Sequence, residues 1–472
     1  MNALEISADQ FRALADRLIE VAADYLENLP SRPIFPKTSG AEAEELFHLP
    51  LPEEGAGARA FDDLERITTH CRGQNGGFFG YVLGSGEPVA ALADLLASVV
   101  NQNVTAWRSA PAAATMERTV VEWIAAAIGC SGFRGSLTGG GSSANLMGLA
   151  MARENRIPAN EKGLGGSGHG VVYASEEVHM SIPKAVALLG LGRAQLRLIP
   201  VDEQFRMLPS ELAKAVEGDR RDGKVPIAVV GSAGSVNTGA IDPLGEVARI
   251  ARENALWLHV DGAYGALAAM AAPGKFAGLE LADSISLDPH KWLYQPLDCG
   301  CLLYRDERAA QRAFSHTGDY AKSLSADPIE GFVFFEESME LSRRFRALKL
   351  WLSLRYHGLG AFRAAIQKNL ELAQRLAKSV EKERQLEVLA PVELSAVCFR
   401  YRGAGNSAEA ELNRRNAALL QRVVERGRVY LSNATLRGSF ALRACIVNHR
   451  TTETDVDSVI SEVLGAAKEL HL

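Results

Sequence analysis

Short apolar runs alternate with helical patterns over residues 88–305, and this alternation constrains the fold more than any other feature of the chain. The apolar runs that we interpret as strands are residues 171–174, 227–230, 256–260, 284–287 and 300–304. The helical patterns cover residues 111–128, 143–154 and 243–254. Almost continuously apolar strands are typical of sheets buried on both faces. Because such strands alternate with helices here, the sequence predicts an α/β fold with a large, mostly parallel sheet.

The segments on either side of this region have different patterns. Residues 7–29 have the apolar spacing of an amphipathic helix, and Ser7 with Gln10 forms a predicted capping box at its start. A chain of 472 residues is too long for a single core. We therefore expect an N-terminal helical segment that packs on another subunit or on its own chain, a large domain, and a small C-terminal α+β domain. The predicted boundaries are 1–85, 86–358 and 359–472.

Charge and composition argue against several kinds of partner. The formal net charge is −6, and no long run of Lys and Arg is present, so nucleic acid is not an expected partner. No apolar stretch reaches the length of about eighteen residues that a membrane span needs, and the first residues do not have the pattern of a signal peptide. The six cysteines show no zinc-site spacing, so we expect no metal, reduced thiols and a cytoplasmic location.

Lys291 is the first candidate site residue, in the sequence Asp-Pro-His-Lys-Trp directly after the predicted strand 284–287. A lysine that attacks an aldehyde must be neutral, and partial burial or nearby cations favour that state. His290 beside it could donate a hydrogen bond to a phosphate. Taken alone, Lys291 is more commonly a solvated residue at the end of a strand.

Asp261 is the second candidate, at the end of the predicted strand 256–260. Ligands of open α/β sheets bind at the carboxyl ends of the strands. A buried aspartate there needs a cationic partner, which a protonated pyridine nitrogen would supply. Gly262 and Ala263 leave space for a flat ring. Alone, the aspartate could equally cap a helix or a turn.

Two further motifs are candidates for the same site: a glycine run that precedes a predicted helix, and a histidine that follows a predicted strand. The glycine run that includes Gly141 and Ser142 leads into helix 143–154, and backbone amides at a helix start bind phosphate. It lacks the pattern of a nucleotide P-loop or of a dinucleotide site, so ATP and NAD fit poorly. His179 follows strand 171–174 and could stack on a flat cofactor, although a structural role is the more common one. Together the four features would meet in one cleft.

Taken together, these residues resemble the group II pyridoxal-phosphate-dependent amino-acid decarboxylases, closest to the aromatic-L-amino-acid decarboxylase branch. The resemblance rests on His-Val-Asp-Gly-Ala-Tyr-Gly (259–265) with Asp-Pro-His-Lys-Trp (288–292), and it extends over nearly the whole chain. It implies an aminotransferase-like (fold type I) architecture, pyridoxal 5'-phosphate as cofactor, an amino-acid substrate and a homodimer.

The resemblance also implies roles for individual residues. Lys291 would be the Schiff-base lysine, Asp261 the partner of the pyridine nitrogen, and His179 the residue stacked on the ring. Further cofactor contacts would come from Gly141, Ser142, Ser235, Ala263 and His290. Asp288 stands where the aromatic enzymes often have asparagine, and an anion beside a phosphate is unfavourable unless it is bridged or protonated. On the substrate side we expect Phe79, Tyr81, Trp107 and Phe334, with Arg443 resembling an arginine near the substrate carboxylate.

Phe334 marks a departure from the family pattern. Counting back from Arg343, it falls at or near the tyrosine of a mobile loop that is thought to return a proton to Cα in the aromatic branch, and no tyrosine lies between Tyr320 and Tyr356. Because phenylalanine carries no proton to donate, either another group such as His179 acts, or the carbanion reacts with oxygen to give an aldehyde. Decarboxylation to an amine is the leading prediction and aldehyde formation the alternative. More remote alternatives are an aminotransferase or lyase of the same fold, and a binding protein that has lost its chemistry.

Overall fold

The computed structural model describes residues 4–165, 170–316, 327–403, 405 and 407–472. Its N-terminal part consists of helices α1 (Ala8–Asn28), α2 (Gly40–Phe47) and α3 (Leu64–His70). The predicted first helix is confirmed, and so is its capping box, because the Ser7 side chain accepts a hydrogen bond from the Gln10 amide while the Gln10 side chain accepts one from the Ser7 amide. No residue of α1 is fully buried, so its apolar face remains accessible in this subunit.

The large domain is built on a seven-stranded sheet. Its strands are β1 (Arg134–Thr138), β2 (Gly170–Ser175), β3 (Leu196–Ile199), β4 (Val225–Ser232), β5 (Trp257–Asp261), β6 (Ser284–Leu287) and β7 (Gly300–Tyr304). The order is β1-β7-β6-β5-β4-β2-β3, and all neighbours from β6 to β3 are parallel. The mostly parallel sheet predicted from the apolar runs is therefore confirmed.

Strand β7 departs from the parallel pattern, because it runs antiparallel to both β6 and β1. The connection from β6 contains only the one-turn helix α10 (Pro289–Trp292), so the chain returns in the opposite direction without a long crossover. Strands β1 and β3 were not among the predicted strands. Both lie at the edges of the sheet and carry polar residues, which removes the continuously apolar signal.

Helices surround this sheet, some packed against its strands and others against neighbouring helices. They are α4 (Pro88–Val100), α5 (Pro111–Ala127), α6 (Gly141–Arg156), α7 (Ser181–Leu188), α8 (Pro209–Arg221), α9 (Leu244–Glu253) and α11 (Glu307–Phe314), besides α10. The predicted helices at 111–128, 143–154 and 243–254 correspond to α5, α6 and α9. Proline occupies the first position of α4, α5, α8 and α10, where its missing N–H costs no helical hydrogen bond.

The C-terminal part has its own sheet and core. Helix α12 (Ala347–Lys382) bends at Gly358, whose φ of 74° lies outside the helical region. It is followed by β8 (Leu386–Val388), β9 (Ala396–Tyr401), α13 (Glu409–Arg426), β10 (Ser432–Leu436), β11 (Ser439–Cys445) and α14 (Glu453–Glu469). The four strands form an antiparallel sheet in the order β10-β11-β9-β8. The small α+β part was predicted, but β10 was not. Its exposed residues, Asn433 and Thr435, are polar and alternate with buried ones, so the strand has no continuous apolar run.

Within the ranges given above, no helix is long and apolar enough to cross a lipid bilayer.

Candidate active site

A cavity of about 420 Å³ opens at the carboxyl ends of β2, β4, β5 and β6. This volume lies within the usual range for small-molecule sites. All eight residues predicted to bind the cofactor line it; they are Gly141, Ser142, His179, Ser235, Asp261, Ala263, His290 and Lys291. Their joint presence follows from the parallel strands, because each strand end delivers the next few residues to the same edge of the sheet.

Lys291 reaches the cavity from α10 and pairs with Asp288. The Nζ atom lies 2.9 Å from Asp288 Oδ2, and both side chains are largely buried. The other carboxylate oxygen, Asp288 Oδ1, is buried and accepts no hydrogen bond among the described residues. An anion at position 288 was expected to be unfavourable beside a phosphate unless it is bridged or protonated. Lys291 bridges one oxygen of the Asp288 carboxylate, and the second oxygen remains available to a donor.

His290 is held by a backbone carbonyl. Its Nδ1 lies 2.7 Å from the carbonyl oxygen of Cys299, which can only accept, so Nδ1 carries a proton. Burial lowers the pKa of His290, which favours the neutral ring at pH 7. In that neutral ring Nε2 is an acceptor, 3.6 Å from Asp288 Oδ2. The predicted donation from His290 to a phosphate therefore requires the protonated ring.

Asp261 ends β5 and is held by three neutral donors. Its Oδ1 accepts from the Ala263 amide and the Ser286 hydroxyl, each at 3.2 Å, and its Oδ2 accepts from Asn145 Nδ2 at 3.1 Å. A carboxylate offers about four lone-pair positions, so one position on Oδ2 remains for a ligand in the cavity. The expected cationic partner is not supplied by these three contacts, which suits a site that receives its cation from a ligand.

His179 lies in the turn between β2 and α7. Its Nδ1 accepts from the Ser181 amide at 3.2 Å and lies 2.8 Å from the Ser181 hydroxyl. Because the amide can only donate, Nδ1 is unprotonated and the neutral ring carries its proton on Nε2. Burial lowers the pKa of His179, in keeping with that neutral form.

The glycine turn between β1 and α6 also lines the cavity. Gly140 precedes α6 with a φ of 150°, and no side chain caps the helix. The amides of the first helical turn are therefore available for an anion. A Cβ on Gly141 would lie 2.7 Å from the Ala263 Cβ and 2.9 Å from Asp288 Oδ2, so the backbone approaches the opposite wall as closely as glycine permits.

Of the four residues expected on the substrate side, Tyr81 alone lines the cavity. The other three do not line the cavity of their own subunit, and their place on the substrate side stays a prediction. Phe79 is fully buried in the core of the small domain, and Trp107 packs against the core of the large domain. Phe334 is also fully buried, with the Arg343 guanidinium 4.1 Å from its ring centre. Trp107 and Phe334 lie on two segments joined by an antiparallel bridge between Ala106 and Val333.

Tyr81 connects the cavity to the small domain. Its hydroxyl oxygen lies 3.1 Å from that of Tyr430, and the Arg72 guanidinium lies 5.4 Å and 5.0 Å from the two ring centres. A Cβ on Gly80 would fall 2.3 Å from the Tyr430 ring, so the glycine permits this packing. Arg443, from β11, also lines the cavity, and its Nε donates to the Ser432 hydroxyl at 3.1 Å. An aromatic wall and a guanidinium therefore lie at the same opening.

Asn145 is a site residue that the sequence analysis did not single out. It lines the cavity and contacts Asp261 directly. Its spacing of four residues from Gly141 places both on one face of α6, and this helical spacing was the available signal. Val82, Tyr264 and Ser232 also line the cavity and carried no comparable signal.

These residues fit pyridoxal 5'-phosphate. A lysine amine, a carboxylate with an open acceptor position and a helix start without a side-chain cap line one cavity, and they match the aldehyde, the pyridine nitrogen and the phosphate of that cofactor. The close approach at Gly141 and the unpartnered Asp288 Oδ1 are consistent with a cavity built around a ligand.

Comparison with known proteins agrees with this geometry. A family model described as the pyridoxal-dependent decarboxylase conserved domain matches residues 52–402. An aromatic-L-amino-acid decarboxylase of Bacillus atrophaeus is 33% identical over 99% of this chain and 98% of its own length. A phenylacetaldehyde synthase of Petunia hybrida is 28% identical over 93% of this chain and 91% of its own. The crystal structure of Oryza sativa TDC with PLP and tryptamine superposes with a TM-score of 0.92 at 28% identity, covering 100% of this chain and 99% of that one. The predicted fold type I architecture is confirmed.

Proposed function

The chain belongs to the pyridoxal-dependent decarboxylase family and is a pyridoxal 5'-phosphate-dependent carboxy-lyase, and from that premise we propose that it converts an aromatic L-amino acid to the corresponding amine and carbon dioxide. The observation that carries this proposal is the convergence of Lys291, Asp261, His179 and the glycine turn at Gly141 on one cavity. Tyr81 at its opening supports an aromatic side chain in the substrate.

When bound, the cofactor supplies an aldehyde that an amine can attack and a conjugated ring that accepts electrons from a breaking bond. We assign the covalent hold on the cofactor to Lys291, whose amine forms an ion pair with Asp288 at 2.9 Å. Asp261 would accept a hydrogen bond from the pyridine nitrogen with the open position of Oδ2. The uncapped start of α6 would bind the phosphate, because its first residues line the cavity and no side chain occupies their amides.

We assign to His179 a position against the ring. Ser181 fixes its tautomer, so the proton of the neutral imidazole lies on Nε2. As an imidazolium the ring could give up its Nε2 proton and become neutral, whereas Phe334 has no proton to donate. On this basis His179 is our leading candidate for the group that returns a proton to the substrate.

Aldehyde formation is the second candidate. It is favoured by Phe334 at the expected position of the loop tyrosine and by the similarity to a phenylacetaldehyde synthase. That reaction would consume one oxygen and one water per amino acid, and release ammonia and hydrogen peroxide besides carbon dioxide and aldehyde.

A product balance distinguishes the two reactions. Purified holoenzyme is incubated in air with phenylalanine, tyrosine, DOPA or tryptophan, and carbon dioxide, amine, aldehyde, oxygen uptake and peroxide are measured together. We expect carbon dioxide and amine in equal amounts without oxygen uptake. Carbon dioxide matched by aldehyde and peroxide would instead establish the second candidate.

Two variants control this assay. Lys291→Ala is expected to lower turnover at least about a thousand-fold, because the amine that holds the cofactor is lost. Lys468→Ala removes an exposed lysine of α14 and should retain the wild-type rate. Full turnover in Lys291→Ala would contradict the proposed role of that residue.

We also propose that the enzyme is a homodimer. Helix α4 buries small residues, Ala90, Ala93 and Ala97, against its own chain. It exposes large apolar ones on the other face, namely Leu92, Leu95, Leu96, Val99 and Val100. A contiguous apolar face of this kind is typical of a subunit interface. A cytoplasmic location remains a prediction, which the six free cysteines support.

A further inference from the structure

A chain of hydrogen bonds lies behind the cavity and ends on two of the residues that face it. Trp257 Nε1 donates to the Ser284 hydroxyl at 2.8 Å, and the same hydroxyl lies 2.8 Å from His259 Nδ1. The other ring nitrogen, His259 Nε2, lies 2.8 Å from Asn145 Oδ1. Asn145 Nδ2 then donates to Asp261 Oδ2 at 3.1 Å and to the Ser181 hydroxyl at 2.9 Å.

The direction of every bond in this chain follows from its end points. Asp261 offers acceptors to the Asn145 amide, so Nδ2 faces it and Oδ1 faces His259. Because Oδ1 can only accept, His259 must carry its proton on Nε2. Burial lowers the pKa of His259 to about 4, so the ring is neutral at pH 7 and its Nδ1 accepts from Ser284. The Ser284 hydroxyl is free to donate there because it accepts from Trp257.

The same logic extends to His179. The Ser181 hydroxyl accepts from Asn145 and donates its own proton to His179 Nδ1. The Asn145 amide thereby contacts the acid on one side of the cavity and, through one hydroxyl, the imidazole on the other. Reversing its orientation would bring Oδ1 against the Asp261 carboxylate and Nδ2 against a protonated nitrogen.

Packing leaves this group no alternative partner. Asn145, His259 and Ser284 are at most 1% exposed, so water cannot replace a lost bond. A Cβ on Gly148 would lie 2.6 Å from the His259 ring, so α6 makes room for the imidazole one turn after it presents Asn145. A polar group left without a partner in such a setting lowers the free energy of unfolding more than the loss of a hydrogen bond at the surface does.

We propose that Asn145 is a positioning residue that holds Asp261 and His179 in their cofactor-binding arrangement, and that His259 fixes the orientation of the Asn145 amide by donating from Nε2. This inference rests on the roles proposed above for Asp261 and His179. It adds a function for two buried residues: Asn145 acts on the cofactor site through Asp261 and His179, and His259 acts through Asn145.

Asn145→Leu tests the proposal, because leucine has nearly the size of asparagine but neither donates nor accepts. The cofactor is removed, the folded state of the apoprotein is verified by thermal unfolding, and the dissociation constant for pyridoxal 5'-phosphate is measured by equilibrium dialysis between pH 5 and 8. We expect affinity to fall about ten- to a hundred-fold at pH 7. The visible absorption spectrum of the bound cofactor should also change, because Asp261 is no longer held in place beside the pyridine nitrogen.

The matched control is Asn416→Leu, which removes an equally buried asparagine of α13 that bonds to Tyr401. It should lower the unfolding temperature without changing cofactor affinity. Asp261→Asn is measured beside it. Unchanged affinity and absorption spectrum in Asn145→Leu, while Asp261→Asn is impaired, would overturn this inference and leave the role proposed for Asp261 intact. Unchanged behaviour of Asp261→Asn would instead refute the role proposed for Asp261.

A second measurement decides the matter even where Asn145→Leu fails to fold. In wild-type protein labelled with 15N-histidine, the His259 signals are assigned by their loss in His259→Gln. We expect a neutral ring protonated on Nε2 at pH 7, with and without cofactor. A ring protonated on Nδ1, or on both nitrogens, would reverse the bonds to Asn145 and overturn the proposal.

Discussion

At the scale of single residues, burial keeps three histidines neutral, and their neighbours determine which ring nitrogen carries the proton. The pKa values of His179, His259 and His290 are all lowered by burial, so each ring is neutral near pH 7. A neutral imidazole has one donor and one acceptor, and its neighbours select between them. Nδ1 carries the proton in His290, whereas Nε2 carries it in His179 and His259. Three histidines around one cavity thus differ in what they can donate.

The lowered pKa of His259 predicts a loss of stability in acid. An unfolded histidine binds its proton near pH 6.5, but the folded ring does so only near pH 4. The contribution of neutral His259 to the free energy of unfolding is therefore complete above pH 6.5, decreases as the pH falls, and is lost by about pH 4. The difference amounts to about 3 kcal/mol of unfolding free energy.

His259→Gln removes this dependence and isolates it from other groups. Denaturant unfolding of the wild type and of the variant at pH 7 and pH 4 should show a smaller loss on acidification in the variant. His48→Gln, at an exposed position after α2, is the control and should keep the wild-type loss. If the free energy of unfolding fell equally between pH 7 and pH 4 in the wild type and in His259→Gln, the expectation would be contradicted.

At the scale of elements, the start of α6 and the ends of the parallel strands define the cavity. Helix α6 contributes amides at its first turn, Asn145 one turn later and space for His259 at Gly148. Its position on the sheet therefore couples the phosphate end of the site to the acid at the end of β5. The glycine turn before it sets how closely the backbone approaches β5 and α10.

Two glycines of this turn, which are two residues apart, test how closely the backbone approaches its neighbours. Gly141→Ala would place a Cβ 2.7 Å from Ala263 and 2.9 Å from Asp288, whereas the nearest atom to a Cβ at Gly139 is 3.5 Å away. Relief of the first contact costs about 1–3 kcal/mol, so we expect cofactor affinity to fall about ten- to a hundred-fold in Gly141→Ala. Gly139→Ala should bind like the wild type. Dialysis of both apoproteins measures the difference, and equal affinities would refute the predicted crowding.

At the scale of the whole molecule, the cavity joins the two sheets of the chain. Tyr81 is supported by Tyr430 of the small domain, and Arg443 reaches the opening from β11. By contrast, Trp107 and Phe334 lie together away from the cavity of their own subunit. A second subunit is the partner that we propose for the apolar face of α4.

A mass measurement tests the dimer. Light scattering should give twice the 50.8 kDa of one chain. Leu96→Glu places a charge in the middle of the exposed face of α4 and should raise the dissociation constant at least about a hundred-fold. Gln421→Glu, an exposed change of equal charge on α13, should remain dimeric. A wild-type mass of one chain would disprove the proposed homodimer.

The sequence alone was sufficient to predict the parallel strands and the positions of Asp261, His179 and Lys291 at or just after their ends. These features depend on local periodicity, and a parallel sheet brings strand ends to one edge whatever the remaining packing. The edge strands β1 and β3 escaped prediction because partial exposure permits polar residues.

The tertiary structure decided which other residues share the cavity. Phe79 and Tyr81 are two apart, yet Tyr81 has a φ of 59°, which breaks the extended pattern and turns its ring to the opening while Phe79 enters a core. The bonds among Asn145, His259 and Ser284 join α6, β5 and β6, which are distant in sequence. Their meeting depends on how α6 packs against the sheet, and no local pattern of residues encodes that packing.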